Sequence, residues 1–539
     1  MRFWLTCAAL FALVSFFFVP TLSGGGFWWT DETRHAMGGV FVLDLLRDMP
    51  LADPMGYALR YFAQYPALAL NWYLPGFYLV EAGFYAMFGV EEAVAHWTVF
   101  AFVLLATAVW FSWVRGGWGA LTAFMATALF VAVPEWNHWA RSVMLEAPAI
   151  AMFILVVWTF ERYLDRPTAL RALAAGLSIA AALAVKQTVA LLLPALLVYA
   201  LSSPRRHALW RVQAVPAYLI VALAIALVAL HALKFGNLGL AATLGDSRVD
   251  VGQSAARLSL ERWLTYPKAL LEVWGWPLMI LSLAGALLPA RQRESRLALI
   301  YAWLLCWYVV MTLVLGGAGN APRYSLYALP ALAVLGARPL FLLQDRTGVR
   351  NAFLAVLMLV LAVQGWRTLT LPVPYVDGYR EAALAIHERA TSSPVLFAGK
   401  HDGSFIFHLR RLDESREAVV LRADKVLVSL AVHKYFGMTS HVGSVDDIRA
   451  LIRRYGVEYI VIERPDIVGV TEFAMLAELV AQSDFERVAD FPVPSGGGAE
   501  APESIEIHRY RDHVALGDAE IVIPLPHLGR EIRFRRGAR

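Results

Sequence analysis

The sequence predicts a polytopic α-helical membrane protein that carries a polar α/β domain at its C-terminal end. Three observations point there. Of 539 residues, 59% are hydrophobic and only 17% are charged, which excludes an ordinary soluble globular chain. The apolar residues gather before Arg367 into about 11 membrane-length segments, at most 13. After Arg367 the composition turns polar, with short alternating segments. The net charge of +4 is an excess of Lys and Arg that reads, in a membrane protein, as topology signal rather than nucleic-acid binding. Cys7 and Cys306 both sit in apolar segments, so no disulfide framework is implied.

The first span covers 3–22. Its long apolar run, the lack of a convincing small-x-small site and the spans that follow argue against a cleaved signal peptide. Further spans are expected at 94–113, 118–134, 143–160, 171–185, 188–202, 212–233, 271–290, 297–315, 324–343 and 350–367. With Arg2 inside, alternate loops carry Arg115; Arg162, Arg166 and Arg171; Arg205, Arg206 and Arg211; Arg291, Arg293 and Arg296; and Arg346 and Arg350. This positive-inside pattern holds only if 171–202 breaks at Lys186-Gln187-Thr188 and if the aromatic stretch 66–90 does not cross. That stretch, interrupted by Asn71, Pro75 and Glu81, then reads as juxtamembrane helices on the outer face. The outer loop 23–93 groups with a membrane domain 1–370, and 371–539 forms a second, extracytoplasmic α/β domain. In that domain a helix is expected at 378–390, a strand–turn–strand at 394–407, a strand at 425–430 and a helix running into a strand over 446–463.

Candidate chemistry clusters in the expected outer loops. Asp31-Glu32 follow the first span and the interfacial pair Trp28-Trp29. One carboxylate can serve as general base, the other with His35 as support, and Asp31, Glu32 and His35 together could hold a divalent metal. A helix N-cap is the competing reading. Arg60, Tyr61 and Tyr65 could meet a lipid phosphate or a sugar, or simply anchor at the interface. His138, Arg141 and Glu146 run from a polar loop into a span, where a buried acid needs a partner or a role; local helix pairing is the plain alternative. Lys186, between two short spans, either snorkels or binds an anion. Arg323-Tyr324 follow the Gly-rich run 316–320, and Arg323 can take a phosphate in a two-pronged hydrogen bond, or the pair can anchor a tight turn. The long stretch 234–267 could cover a lipid cleft but is assigned no chemistry. No phosphate-binding Walker loop, zinc-type cysteine spacing or GxSxG motif is present.

Taken in order, these residues resemble the GT-C fold glycosyltransferases that use polyprenyl-phosphate sugars, in particular bacterial relatives of the protein O-mannosyltransferases and the aminoarabinose transferase acting on lipid A. The resemblance spans about residues 1–345. It is carried by Asp31-Glu32 with Arg34, by Tyr61-Phe62-Ala63-Gln64-Tyr65-Pro66, by Arg141 to Pro148, by Lys186, and by Arg323 to Pro330. It implies an inverting transfer of a monosaccharide from a polyprenyl-phosphate donor, at the periplasmic face of a bacterial inner membrane. The acceptor would be an envelope glycolipid, lipid A, a polysaccharide or a protein. It further implies Asp31 as catalytic or acceptor-orienting acid, and Lys186 and Arg323 as holders of the donor phosphate. Use of a divalent metal varies within the family, and no cofactor is assigned. One departure is the single proline after Tyr65, where many relatives have two. The competing functions are a lipid or sugar transporter or flippase, which would place charges deep in the spans of pseudo-symmetric halves, and an envelope assembly protein.

Overall fold

The computed structural model describes residues 3–22, 26–69, 72–234, 259–291, 294–315, 321–389, 393–430, 438–465, 469–514, 520–525 and 530–535. The Gly-rich run 316–320, residues 23–25 and most of 234–267 lie outside them. The chain divides into two compact units, one of Met1–Ser23, Asn71–Phe77 and His96–Val373, the other of Gly24–Leu70, Tyr78–Ala95 and Pro374–Arg539. Most of the expected outer loop 23–93 thus clusters with the C-terminal residues rather than with the apolar helices.

The first unit is helical. By length and composition, six helices among the described residues are fit to cross a bilayer: Glu92–Val131, Glu146–Asp165, Val212–Lys234, Leu297–Val314, Ala321–Leu342 and Thr347–Thr370. Two sharply bent pairs raise the number to eight. The expected count of 11 differs for identifiable reasons. Helix Glu92–Val131 has 40 residues, about twice the length a bilayer core requires. It breaks at Gly119, whose φ of 80° and ψ of 171° are not helical. The expected spans 94–113 and 118–134 therefore meet inside one element. The expected span 271–290 is instead cut at Gly275 (φ 82°), between helices Leu260–Trp274 and Trp276–Leu287, which bend by 112°. The apolar stretches Trp4–Pro20 and Ala169–Val185 are short for a full crossing. Among the described residues of 66–90 only Gly76–Phe88 is helical, 13 residues or about 20 Å, too short to span.

The core of this unit is aromatic, with Trp110, Trp113, Trp118 and Trp303 fully buried. Trp110 and Trp113 stack with centroids 4.9 Å apart. One buried charge, Arg338, is fully answered. Its Nε and Nη2 each donate to Glu294 at 2.7 Å, and its other donors reach the carbonyls of Gly285, Leu288 and Pro289. Such a pair tolerates burial because no donor is left unsatisfied.

The second unit holds a five-stranded sheet in the order β2-β1-β3-β5-β4, with β1 Val395–Ala398, β2 Val420–Arg422, β3 Tyr459–Arg464, β4 Phe485–Pro492 and β5 Ser504–Tyr510. β3 runs parallel to β1, and β5 antiparallel to β3. β3 lies in the middle and is buried from Tyr459 to Glu463, which explains its unbroken apolar run YIVI. Helix Tyr379–Glu388 and helix Val445–Tyr455 form where the sequence places them. The latter is capped by Ser444, which accepts from Asp447 N, and stopped by Gly456 in the left-handed region (φ 60°). Two local expectations fail. After β1 the chain forms helix Asp402–Leu412 rather than a second strand, and every residue from Asp402 to Arg410 is buried. The expected strand 425–430 begins as the short helix Ala423–Val426, and only Val428–Leu430 is extended. Ala63, with Phe62 against it, belongs to the same hydrophobic core as Leu396, Ile448, Ile460 and Leu476. Helix Pro54–Gln64, which carries both, is thus an integral part of this unit.

Candidate functional site

In the first unit, three charges from separate parts of the sequence meet. Glu146 opens helix Glu146–Asp165. Lys186 ends helix Ala169–Val185, where the backbone turns extended (φ −156°, ψ 118°) before a 3-10 segment, at the break the basic loops require. Arg323 lies in the short helix Ala321–Ser325. Glu146 Oε1 accepts from both Lys186 Nζ and Arg323 Nε. The carboxylate is wholly buried, the lysine side chain nearly so at 3% exposure, and the arginine at 15% opens partly to the outside. Two cations share one carboxylate oxygen, so the three side chains together carry one net positive charge. A buried excess charge is costly unless a ligand or a further partner answers it.

Aromatic and hydroxyl groups surround this triad. The Arg323 guanidinium lies over the Trp139 ring, 4.8 Å from its centroid, and Trp139 Nε1 donates to Glu135 at 2.8 Å. Buried Tyr327 places its hydroxyl 3.4 Å from Thr188 Oγ1. His138 shares helix Pro134–Ala140 with Trp139, and burial pushes its imidazole below its ordinary range. Arg141 is committed elsewhere: its Nε donates to the Phe17 carbonyl at 2.9 Å and its Nη2 to that of Thr368 at 3.3 Å. The plain expectation of a local Arg141–Glu146 pairing is replaced by partners 40 and 177 residues from Glu146. Sequence reasoning singled out all three members of the triad but not their meeting, and it missed Trp139, Thr188 and Tyr327. No local spacing links these segments.

Tyr324, beside Arg323 in the first unit, accepts from Trp307 Nε1 through its backbone carbonyl at 3.0 Å; the other sequence candidates lie in the second unit. Helix Thr30–Asp48 begins at the acidic pair, and its members divide. Asp31 is exposed in the first turn. Glu32 is buried and turns back, its Oε1 accepting from the backbone N–H groups of Trp28 and Trp29 at 3.1 Å. Capping is therefore the role of Glu32, and Asp31 remains at the positive end of the helix dipole. His35 Nδ1 lies 3.0 Å from Tyr78 Oη in a buried pair. Asp31, Glu32 and His35 thus do not assemble the metal set expected from the sequence. Among the described residues no group of three or more His, Cys, Asp or Glu is placed to hold a metal ion.

Arg60, Tyr61 and Tyr65 serve helix Pro54–Gln64 and its surroundings. Arg60 reaches Asp53 at the surface, 3.3 Å away. Tyr61 Oη donates to Asp44 and Tyr65 Oη to Asp413, both at 2.8 Å and buried. Burial and the adjacent carboxylates raise both phenols well above their ordinary range, so each stays a neutral donor. Arg410 donates to Asp44 from Nε and Nη2, and Arg34 binds Asp402 bidentately at 2.8 Å for each prong. Glu81, on helix Gly76–Phe88, is fully buried, and neither of its oxygens has a geometric hydrogen-bond partner among the described residues. Burial pushes its carboxyl well above the usual range. Only glycine fits opposite it, because a Cβ at Gly39 would sit 2.3 Å from Glu81 Oε2.

Residues 74–233 match the family model of the dolichyl-phosphate-mannose-protein mannosyltransferases. No curated protein sequence matches the chain. Among solved structures, ArnT from Cupriavidus metallidurans bound to undecaprenyl phosphate superposes with a TM-score of 0.59 at 15% identity, over 94% of this chain and 97% of that one. Its apo state gives the same score at 16% identity, over 95% and 98%. The arabinofuranosyltransferase AftD from Mycobacteria matches at 0.54 and 14% identity, over 96% of this chain and 40% of its own. The chain shares the GT-C fold of these membrane glycosyltransferases.

Proposed function

We propose that this protein is an inverting glycosyltransferase of the bacterial inner membrane. It moves a monosaccharide from a polyprenyl-phosphate donor to an envelope acceptor on the periplasmic face. The observation that carries this reading is the triad Glu146–Lys186–Arg323, a buried site with positive charge to spare, in a fold shared with a protein captured on undecaprenyl phosphate. A lipid-linked phosphate is the anion that such a site suits.

Each residue then has a task. Asp31, exposed at a helix start, takes the proton of the acceptor hydroxyl or amine as that atom attacks the anomeric carbon. The sugar–phosphate bond breaks on the opposite side, which inverts the anomeric configuration. The electron pair leaves with the polyprenyl phosphate. Lys186 and Arg323 stabilise the charge that grows on that phosphate. Tyr324, next to Arg323, and His138 line the approach. Arg141 fixes the loop that carries His138 by holding the carbonyls of Phe17 and Thr368. No leaving-group acid is required, because a phosphate departs without one.

The test is a mass-spectrometric comparison of envelope glycolipids and glycans between a deletion strain and its parent. The reading expects one glycan or glycolipid species to lose a single sugar residue, and that mass names the sugar and acceptor together. An unchanged profile, with a changed distribution of intact lipids between leaflets, would favour the transporter instead.

A further inference from the structure

Resting on that reading, we infer that Glu146 is a positioning residue that acts as an internal competitor of the lipid phosphate: it holds Lys186 and Arg323 ready in the empty site and drives product release by reclaiming them. The geometry carries the argument. One oxygen of Glu146 accepts from both cations, while Oε2 has no hydrogen-bond partner among the described residues. The carboxylate is shut off from solvent at 0% exposure, so water screens it little, and Lys186 is nearly as buried. Arg323 engages it through Nε, and among the described residues Nη1 and Nη2 make no hydrogen bond. An incoming phosphate thus meets a guanidinium edge already oriented.

Charge then separates donor from product. The donor is a phosphodiester bearing one negative charge. Once the sugar–phosphate bond breaks, the product is a phosphate monoester that approaches two negative charges near neutral pH. A site of two bare cations would hold the product more firmly than the donor. With Glu146 in place the three side chains carry a single net positive charge, which matches the donor but leaves the additional charge of the product unneutralised beside the Glu146 carboxylate. Glu146 thereby trades ground-state affinity for turnover, spending less binding energy on the product than two free cations would.

The experiment uses detergent-solubilised full-length protein and measures equilibrium binding and dissociation of undecaprenyl phosphate. A monomethyl ester of the same lipid, with one charge fewer, and uncharged undecaprenol serve as controls. Glu146→Gln is expected to bind undecaprenyl phosphate about tenfold or more tighter than the parent, with slower dissociation. The gain should be smaller for the methyl ester and absent for undecaprenol. A merely structural carboxylate would not sort ligands by charge. If Glu146→Gln does not fold, Glu146→Asp replaces it, because its shorter side chain draws the charge back from both cations; an intermediate gain is expected. Parental or weaker binding by the folded variant, with Lys186→Met still reducing affinity in the parent, overturns the competitor role and leaves the phosphate site standing. Binding in the parent that ignores both Lys186→Met and Arg323→Gln overturns the phosphate site, and this inference with it.

Discussion

The two units bury ionic groups in different ways. In the second, Asp44, Asp48, Asp402 and Asp424 pair with Arg34, Arg410, Arg416, Arg422 and Lys425, while the Asp413 carboxylate is held by Tyr65, Ser415 and the Ala418 N–H. Arg34, Arg416 and Arg422 each grip an aspartate with two prongs, and Tyr61 and Tyr65 donate to Asp44 and Asp413. In the first unit the triad is small and partly open at Arg323, and two cations share a single carboxylate oxygen. Cations that each grip a carboxylate with two prongs hold a fold together; two that crowd one oxygen keep donors in hand.

Substitutions can break this contrast. The largest effect is expected at Asp31, an exposed acid outside both arrangements. Asp31→Asn should lower transfer about 10²–10⁴-fold, the usual contribution of a general base, with membrane abundance unchanged. Near-parental turnover by the purified variant would remove Asp31 from the chemistry. Next comes the second unit's network. Asp402→Ala strands Arg34, leaves Arg422 with Asp424 alone, and should cost about 3–5 kcal/mol of stability. Thermal unfolding should reveal that loss, while turnover per folded molecule stays near the parental value. A selective loss of turnover instead would mean that the network is not mere glue. Lys186→Met should do the reverse, lowering kcat about 10²–10³-fold, as removal of one charge-stabilising donor does, without comparable unfolding.

The smallest effect concerns Glu81. Its folded carboxyl is held above its unfolded value of 4.5 by burial. As pH rises past that value the unfolded chain sheds a proton that the folded one retains. Stability therefore falls, by up to about 1.4 kcal/mol per pH unit, until the folded carboxyl ionises too. Glu81→Gln removes this dependence, so its melting temperature should equal or exceed the parental one near neutrality. Identical pH slopes for the two proteins between about pH 5 and 8 would show that Glu81 is already ionised in the fold.

Much of this was legible in the residues because it is local or periodic. Apolar runs of membrane length, the basic loops and the DDIRALIRRYG helix all rest on spacing within one segment, and so does the break at Lys186. The acidic pair could be found, but its division of labour could not. Which of Asp31 and Glu32 turns back to cap depends on the helix starting at Thr30, a shift of one residue. The triad joins residues 146, 186 and 323, and no pattern in one sequence states such a meeting. Tyr61 and Tyr65 misled for a related reason. A tyrosine that lines a sugar and one that serves a buried aspartate look alike until the aspartate is located.

The place of helix Pro54–Gln64 in the second core has a practical consequence. A soluble fragment cut at the start of the polar region, near Pro374, would leave behind Ala63 and Phe62 from its hydrophobic core, and Tyr61, Tyr65 and Asp44 from around Arg410. Arg410 would lose its carboxylate, and Asp402 would lose one of its two arginines. Residues 26–69 and 78–95 must travel with such a fragment, joined by a linker that replaces the helix-rich remainder, or it will expose apolar surface and aggregate.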